Sequence, residues 1–287
     1  MPSLIDIRRR IRSVKNTQQI TKAMKMVSAA KLRRAQDRVV ASRPYGALLR
    51  KVLANVAAAA ATDEKAGENP LLARRPEQRI LLVLITGDKG LAGAFSSNLI
   101  KGALQFINDH RGAQITLELI GRKGRDFFRK RDSQISGEHV GLAAKVAYAD
   151  TSAIARKAMD LYRDGQIDAV YLLFNEFKSV MAQKLTLTRV LPVDMPEQSA
   201  PMDYIFEQPP IEMLEALLPR YVEMEFYRSL LESAAAEHAA RMTAMEAATS
   251  NAGEMIDKLT LYMNRVRQAS ITKEIIEVVS GAAAAEP

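Results

Sequence analysis

The sequence predicts an α/β chain whose N- and C-terminal segments are long helices paired as an antiparallel coiled coil around a central α/β domain. Three observations carry this prediction. No Pro or Gly interrupts residues 3–43; apolar runs of strand length alternate with helical patterns between residues 79 and 190; and residues 242–266 repeat apolar or small side chains at alternating steps of three and four.

The first helix opens at Ser3, a capping residue with Asp6 in the first turn, and continues toward Pro44 and Gly46. A helix of about 40 residues at ~1.5 Å per residue spans roughly 60 Å, longer than a small domain, so much of it projects from any globular body. Its expected seam is Leu4, Ile7, Ile11 and Val14, then Ile20, Met24 and Val27 beyond a polar interruption at residues 15–19. A loop rich in charge, Gly and Pro follows at residues 62–76, and there the period changes. Arg79 to Thr86 is a continuous apolar run bounded by Gly87, as in a parallel strand buried on both faces. A glycine turn leads to a helix at 94–108, a strand at 114–120, short and long helices at 123–130 and 151–163, and a third apolar strand at 168–174. Residues 181–190 alternate polar and apolar, as an antiparallel edge strand does. This alternation is that of a Rossmann-like α/β domain. The C-terminal helix covers residues 211–280, with Met242, Met245, Thr249, Ala252, Ile256, Leu259, Met263 and Val266 as its seam. The phase slips after Val266 and resumes at Ile271, Ile275 and Val278. The segments are therefore 1–60, 77–195 and 211–281.

Composition narrows the functional classes. The 287 residues are 48% hydrophobic and 26% charged with no Cys, which excludes disulfides, thiolate metal sites, thiol nucleophiles and thiol redox switches. The N-terminus lacks the apolar core of a secretion signal, and the longest nearly apolar run, residues 52–61, is well short of the ~20 residues a membrane span needs. Charge is uneven: residues 1–51 hold 14 Lys or Arg against Asp6 and Asp37, whereas residues 211–281 hold 7 basic and 11 acidic side chains. Such a basic block requires a polyanion, an anionic membrane surface or an acidic protein partner.

No catalytic constellation is visible. Gly87-Asp-Lys-Gly90-Leu-Ala-Gly93 stands where a phosphate loop would, but its glycines recur at three and three rather than as G-x-G-x-x-G, and no Gly-Lys-Ser/Thr closes it. It reads as a tight turn, with Asp88 and Lys89 as candidates for partner contact. Glu223 with Glu225, and Glu274 with Glu277, read as helix-face carboxylates; His110, His139 and His238 are scattered and read as surface or cap residues. Catalytic, cofactor-binding and metal-binding residues are accordingly all expected to be none. The apolar seam runs through the basic block instead of following it, unlike a basic zipper, and residues 1–44 offer no aromatic platform for bases.

Two stretches resemble the γ subunits of rotary, F-type ATP synthases. Asn16-Thr-Gln-Gln-Ile-Thr-Lys-Ala-Met-Lys-Met-Val-Ser-Ala-Ala-Lys31-Leu-Arg-Arg-Ala-Gln36 is similar to the family's N-terminal signature, and Arg267-Gln-Ala-Ser-Ile-Thr-Lys-Glu274-Ile-Ile-Glu277-Val-Val-Ser-Gly281-Ala to its C-terminal one. The Thr86 to Gly93 turn fits as well, so the resemblance covers nearly the whole chain. It implies a non-catalytic rotor without cofactor, turned by a membrane c-ring inside a hexamer of α and β subunits and bound at its foot by ε and the c-ring. Residue by residue, Arg267, Gln268 and Thr272 match positions that engage a β-subunit loop; Met24 and Lys25 match the neck near the β levers; Glu274 and Glu277 are expected to pair with the basic helix. Tyr204 and Glu207 match foot residues that meet the c-ring and ε. Absence of Cys excludes the thiol gating of chloroplast relatives, and a start without a transit peptide implies a bacterial protein, peripheral at the cytoplasmic face of the cell membrane, with membrane contact only through the complex and no nucleic acid bound. The alternatives are a basic coiled-coil protein that binds nucleic acid or an anionic membrane, and a nucleotide-using α/β enzyme acting through the Gly87 turn.

Overall fold

The computed structural model describes residues 3–60, 69–131, 133–144, 146–194 and 206–285. It divides into two compact units, one made of residues 29–241 and the other of residues 1–28 with 242–287.

The larger unit is built on a five-stranded sheet in the order β3-β2-β1-β4-β5. Strands β1 (Arg79–Ile85), β2 (Gln114–Ile120), β3 (Gln134–His139) and β4 (Ala169–Phe177) pair in parallel, and β5 (Gln183–Leu191) lies antiparallel to β4 at the edge. Every residue of β1 after Arg79 is buried, as expected of a central strand covered on both faces. Helices α2 (Phe95–Asp109), α3 (Arg122–Phe128) and α4 (Tyr148–Arg163) make the crossovers. The predicted strands and helices are all present within a few residues, but β3 was not anticipated. Of Gln134-Ile-Ser-Gly-Glu-His139 only Ile135 is a strongly apolar strand former, so neither periodicity nor propensity marks it. Its place is held instead by a buried Glu118 on β2, which accepts hydrogen bonds from His139 Nε2 (2.7 Å) and Lys157 Nζ (2.9 Å). Burial opposes ionisation of Glu118, yet these two partners outweigh it and hold the carboxyl below its ordinary range. A side chain at Gly137 would place its Cβ 2.2 Å from Glu118 Oε1, so the β3 edge needs glycine there.

Helix α1 spans Leu4–Ala60, continuing through Pro44 and Gly46, where the sequence suggested a stop. A proline inside a helix costs about 3 kcal/mol. Leu49, Leu53 and Val56 beyond it are buried, and at ~1.5–3 kcal/mol for each such side chain their packing outweighs the lost bond. Helix α5 spans Pro210–Ala285. In this unit it is buried almost all round: Leu230 and Leu231, Ala234 to Ala236 and Ala239 are covered, together with Ser229, Glu232, Ser233 and Glu237.

In the smaller unit α1 and α5 run antiparallel, because Lys25 faces Glu246, Thr21 faces Thr249, and Gln18 lies against Gly253. All eight predicted α5 seam residues are buried or half-buried. The α1 seam differs from its prediction. The inward residues are Leu4, Ile7, Ile11, Val14, Gln18, Thr21, Lys25 and Ser28, an unbroken 3,4 alternation, while Ile20 and Val27 are 59% and 56% exposed. The apparent interruption is thus a polar part of the seam itself. The Thr21 and Thr249 hydroxyls share a hydrogen bond of 2.8 Å, Gln18 Nε2 donates to the Thr249 carbonyl at 3.4 Å, and Lys25 Nζ reaches Glu246 at 2.6 Å. Extending the register from Thr21 opposite Thr249 sets Leu4 opposite Val266. Ile271, Ile275 and Val278 therefore have no α1 turn to pack on and are 48%, 58% and 71% exposed, so the resumed phase is not a seam within this chain.

Gly121 is the strictest backbone constraint of the α/β unit. It has φ +96°, and a Cβ there would lie 2.1 Å from the Thr86 carbonyl oxygen. Gly121→Ala is expected to lower stability by about 2 kcal/mol or more, read as a shift of the urea midpoint at unchanged slope.

Candidate functional site

In an open α/β sheet a ligand sits outside the carboxyl ends of the strands, where the strand order reverses. Here that point lies between β1 and β4, and α5 fills it. Ser233 Oγ donates to the Ile85 carbonyl at the end of β1 (3.4 Å), and the backbone N–H of Phe177 at the end of β4 donates to Glu232 Oε2 (3.1 Å). Glu237 lies so close to Gly87 that a Cβ there would stand 2.9 Å from its carboxyl carbon. Arg241 pairs with Glu237 and donates to the Lys89 and Gly90 carbonyls at 3.4 Å each. The turn after β1 is therefore shaped to receive a helix, and side chains of α5 occupy the crevice between the ends of β1 and β4.

Asp88 has a local task. Its two oxygens accept the backbone N–H groups of Arg122 and Gly141, both at 3.0 Å, tying the turn to the start of α3 and the segment after β3. Lys89 is exposed. The three histidines differ from their surface or cap reading in two cases. His110 is the C-cap of α2; His139 binds buried Glu118; His238 lies partly buried beside Arg241, and burial followed by the Arg241 and Lys31 charges lowers its pKa to about 4. Glu223 and Glu225 also prove to be buried instead of lying on an open face. Glu223 meets Tyr148 and Arg156, and Glu225 meets Arg50 and Arg228. The hydrogen-bonded Tyr148 hydroxyl is pushed up to about 12 by burial and by that carboxylate.

The second candidate surface is the end of α5. Arg267, Gln268 and Thr272 are exposed, and the Thr272 hydroxyl bonds only one turn back, to the Gln268 carbonyl at 2.9 Å. Glu274 and Glu277 do not reach the basic helix. Glu277 pairs with Lys273 of its own helix at 3.4 Å and Glu274 accepts from Ser270 at 3.3 Å, because α1 ends before this level of the register. Met24 and Lys25 are half-buried, Lys25 being engaged by Glu246. Glu207 is exposed, and Tyr204 lies outside the described residues. Among the described residues no group of His, Asp and Glu could hold a metal ion, and no helix is long and apolar enough to cross a membrane. The sequence reading missed Glu232, Glu237 and Arg241; their only signal was charge within the otherwise Ala-rich stretch of α5.

The larger unit closes the crevice of its α/β sheet with its own helix, and the smaller unit is an antiparallel helix pair with an exposed, charged end, an organisation of the class of coiled-coil proteins with an inserted α/β domain. A family model described as ATP synthase matches residues 3–285. The ATP synthase gamma chain of Solibacter usitatus (strain Ellin6076) is 79% identical over 286 residues, covering 100% of both chains, and that of Anaeromyxobacter sp. (strain Fw109-5) is 50% identical over 289 residues, covering 99% of each. Among solved structures, a chain of the Tetrahymena thermophila mitochondrial ATP synthase central stalk and c-ring has a TM-score of 0.62 at 25% identity, covering 80% of this chain and 99% of that one. A chain of the Euglena gracilis mitochondrial ATP synthase has a TM-score of 0.67 at 17% identity over 98% and 94%, a likeness of fold. The chain belongs to the gamma-chain family of F-type ATP synthases, whose members form the central rotor shaft and are not themselves catalytic. Neither the nucleic-acid nor the nucleotide-enzyme alternative is supported.

The His238 shift fixes a pH dependence. The unfolded chain takes up this proton near pH 6.5 and the folded chain only near pH 4, so the stabilisation is complete above 6.5 and is lost as pH falls toward 4. His238→Gln is expected to flatten that part of the acid limb, measured by urea midpoints across the same window.

Proposed function

We propose that this chain couples rotation of a membrane c-ring to the nucleotide states of catalytic β subunits, at the cytoplasmic face of a bacterial membrane. Its partners are then the α and β subunits around the coiled coil, and ε with the c-ring at the α/β domain. The segments 1–60 and 211–281 act as the shaft and 77–195 as the foot. The observation that carries this reading is the exposed end of α5, where Arg267, Gln268 and Thr272 project beyond the last turn α1 can cover. An arginine there can make charge-assisted hydrogen bonds to a β-subunit loop at one angle of rotation and break them at the next.

Met24 and Lys25 contribute at the neck, Lys25 by exchanging its Glu246 ion pair for a partner carboxylate. At the foot, Glu207 faces solvent and with Tyr204 serves the c-ring and ε contact, joined on the turn by Lys89. Asp88 supports that turn from within through its two backbone hydrogen bonds.

Replacing Arg267→Ala together with Gln268→Ala in the assembled complex is expected to reduce ATP turnover and ATP-driven proton pumping by about tenfold or more, the size of one or two lost charge-assisted bonds. The variant chain should assemble normally, since both side chains are exposed. Unchanged turnover and pumping would refute the assignment.

A further inference from the structure

We infer that Glu232 is the residue that locks the shaft helices to the α/β domain, a positioning residue for torque transfer. Its carboxylate is 3% exposed and carries two different links. Oε2 accepts the backbone N–H of Phe177, at the carboxyl end of β4, at 3.1 Å, and Oε1 accepts from Arg43 of α1 at 3.3 Å. One side chain of α5 thus joins the central sheet to the other long helix. Apolar packing is a weak resistance to a small rotation of a helix in its groove, because contacts are exchanged as it turns. A buried carboxylate cannot be traded in this way: moving it off Phe177 N–H and Arg43 leaves a charge without partners in a region closed to water. Its neighbours Ser233 and Ala234 to Ala236 are buried as well, so the carboxylate sits in a continuous stretch of covered helix. Arg43 is half exposed, so the backbone link, sheltered from solvent, is the stiffer of the two.

This inference rests on the rotor reading, and the test separates the two. Complexes are assembled with the full chain carrying a bead on the α/β domain, and ATP-driven rotation is followed one molecule at a time, together with bulk hydrolysis and proton pumping. Glu232→Gln keeps an oxygen acceptor for Phe177 N–H but loses the charge that holds Arg43, whereas Glu232→Ala loses both links. Rotation dwells should broaden in angle, modestly in Glu232→Gln and more in Glu232→Ala, with pumping falling further than hydrolysis. Arg43→Ala should reproduce the Glu232→Gln broadening, which keeps the test decisive if Glu232→Ala does not assemble. Dwell widths and the ratio of pumping to hydrolysis equal to the parent in Glu232→Gln and Arg43→Ala would overturn the lock while leaving the rotor reading intact. Absence of any rotation in the parent complex would instead overturn the rotor reading.

Discussion

The fold depends on the burial of α5 between residues 229 and 239 in the crevice where the sheet reverses its strand order. A helix surrounded on nearly every side must either be apolar throughout or have its polar groups matched one by one. This helix takes the second course. Ala234 to Ala236 and Ala239 are covered apolar positions, while Ser233, Glu232 and Arg241 find backbone partners in the strands and turn they meet and Glu237 pairs with Arg241. The same packing fills the usual ligand crevice with side chains of the chain itself.

The coiled coil follows another rule. Its seam is apolar at Ile7, Ile11 and Val14 but polar from Gln18 to Ser28, opposite Glu246, Thr249 and Gly253. Polar seam positions lower stability relative to Leu or Ile, yet they define register, because a slip of one heptad would part the Thr21 and Thr249 hydroxyls and the Lys25 ion pair. For two helices that meet only after a long intervening domain, register is not set by a short connecting loop. Specific polar pairs supply it.

These two features also explain what was legible in the sequence. The central strands read plainly because β1 and β4 are buried on both faces, leaving continuous apolar runs. The α5 seam read plainly because its steps of three and four are carried mostly by Met, Ile, Leu and Val, with only Thr249 and Ala252 between them. The α1 seam was misread at Ile20 and Val27, since an apolar residue there is more conspicuous than the Thr21 and Ser28 that point inward. Edge strand β3 and the helix beyond Pro44 escaped for a common reason: both are held by tertiary contacts, Glu118 with His139 and Lys157 in one case and Leu49, Leu53 and Val56 in the other. The end of α5 was marked by its register slip, but the crevice contacts were not, because they join residues far apart in the chain.

The charge imbalance completes the argument. Arg8, Arg9, Arg10, Arg12, Lys15 and Lys22 are exposed on α1. Exposed ion pairs contribute only about 0–1 kcal/mol, so a run of cations of this density adds little to the stability of the chain by itself and repels its own neighbours. Where α1 meets acids of its own chain, at Glu225, Glu232 and Glu246, single cations are matched to single carboxylates, and the remainder faces outward. A surplus retained against self-repulsion is best accounted for by an external field of opposite sign. For a shaft, such a field would have a further advantage over a few deep ion pairs: spread evenly, it would attract the helix at every angle and hold it strongly at none.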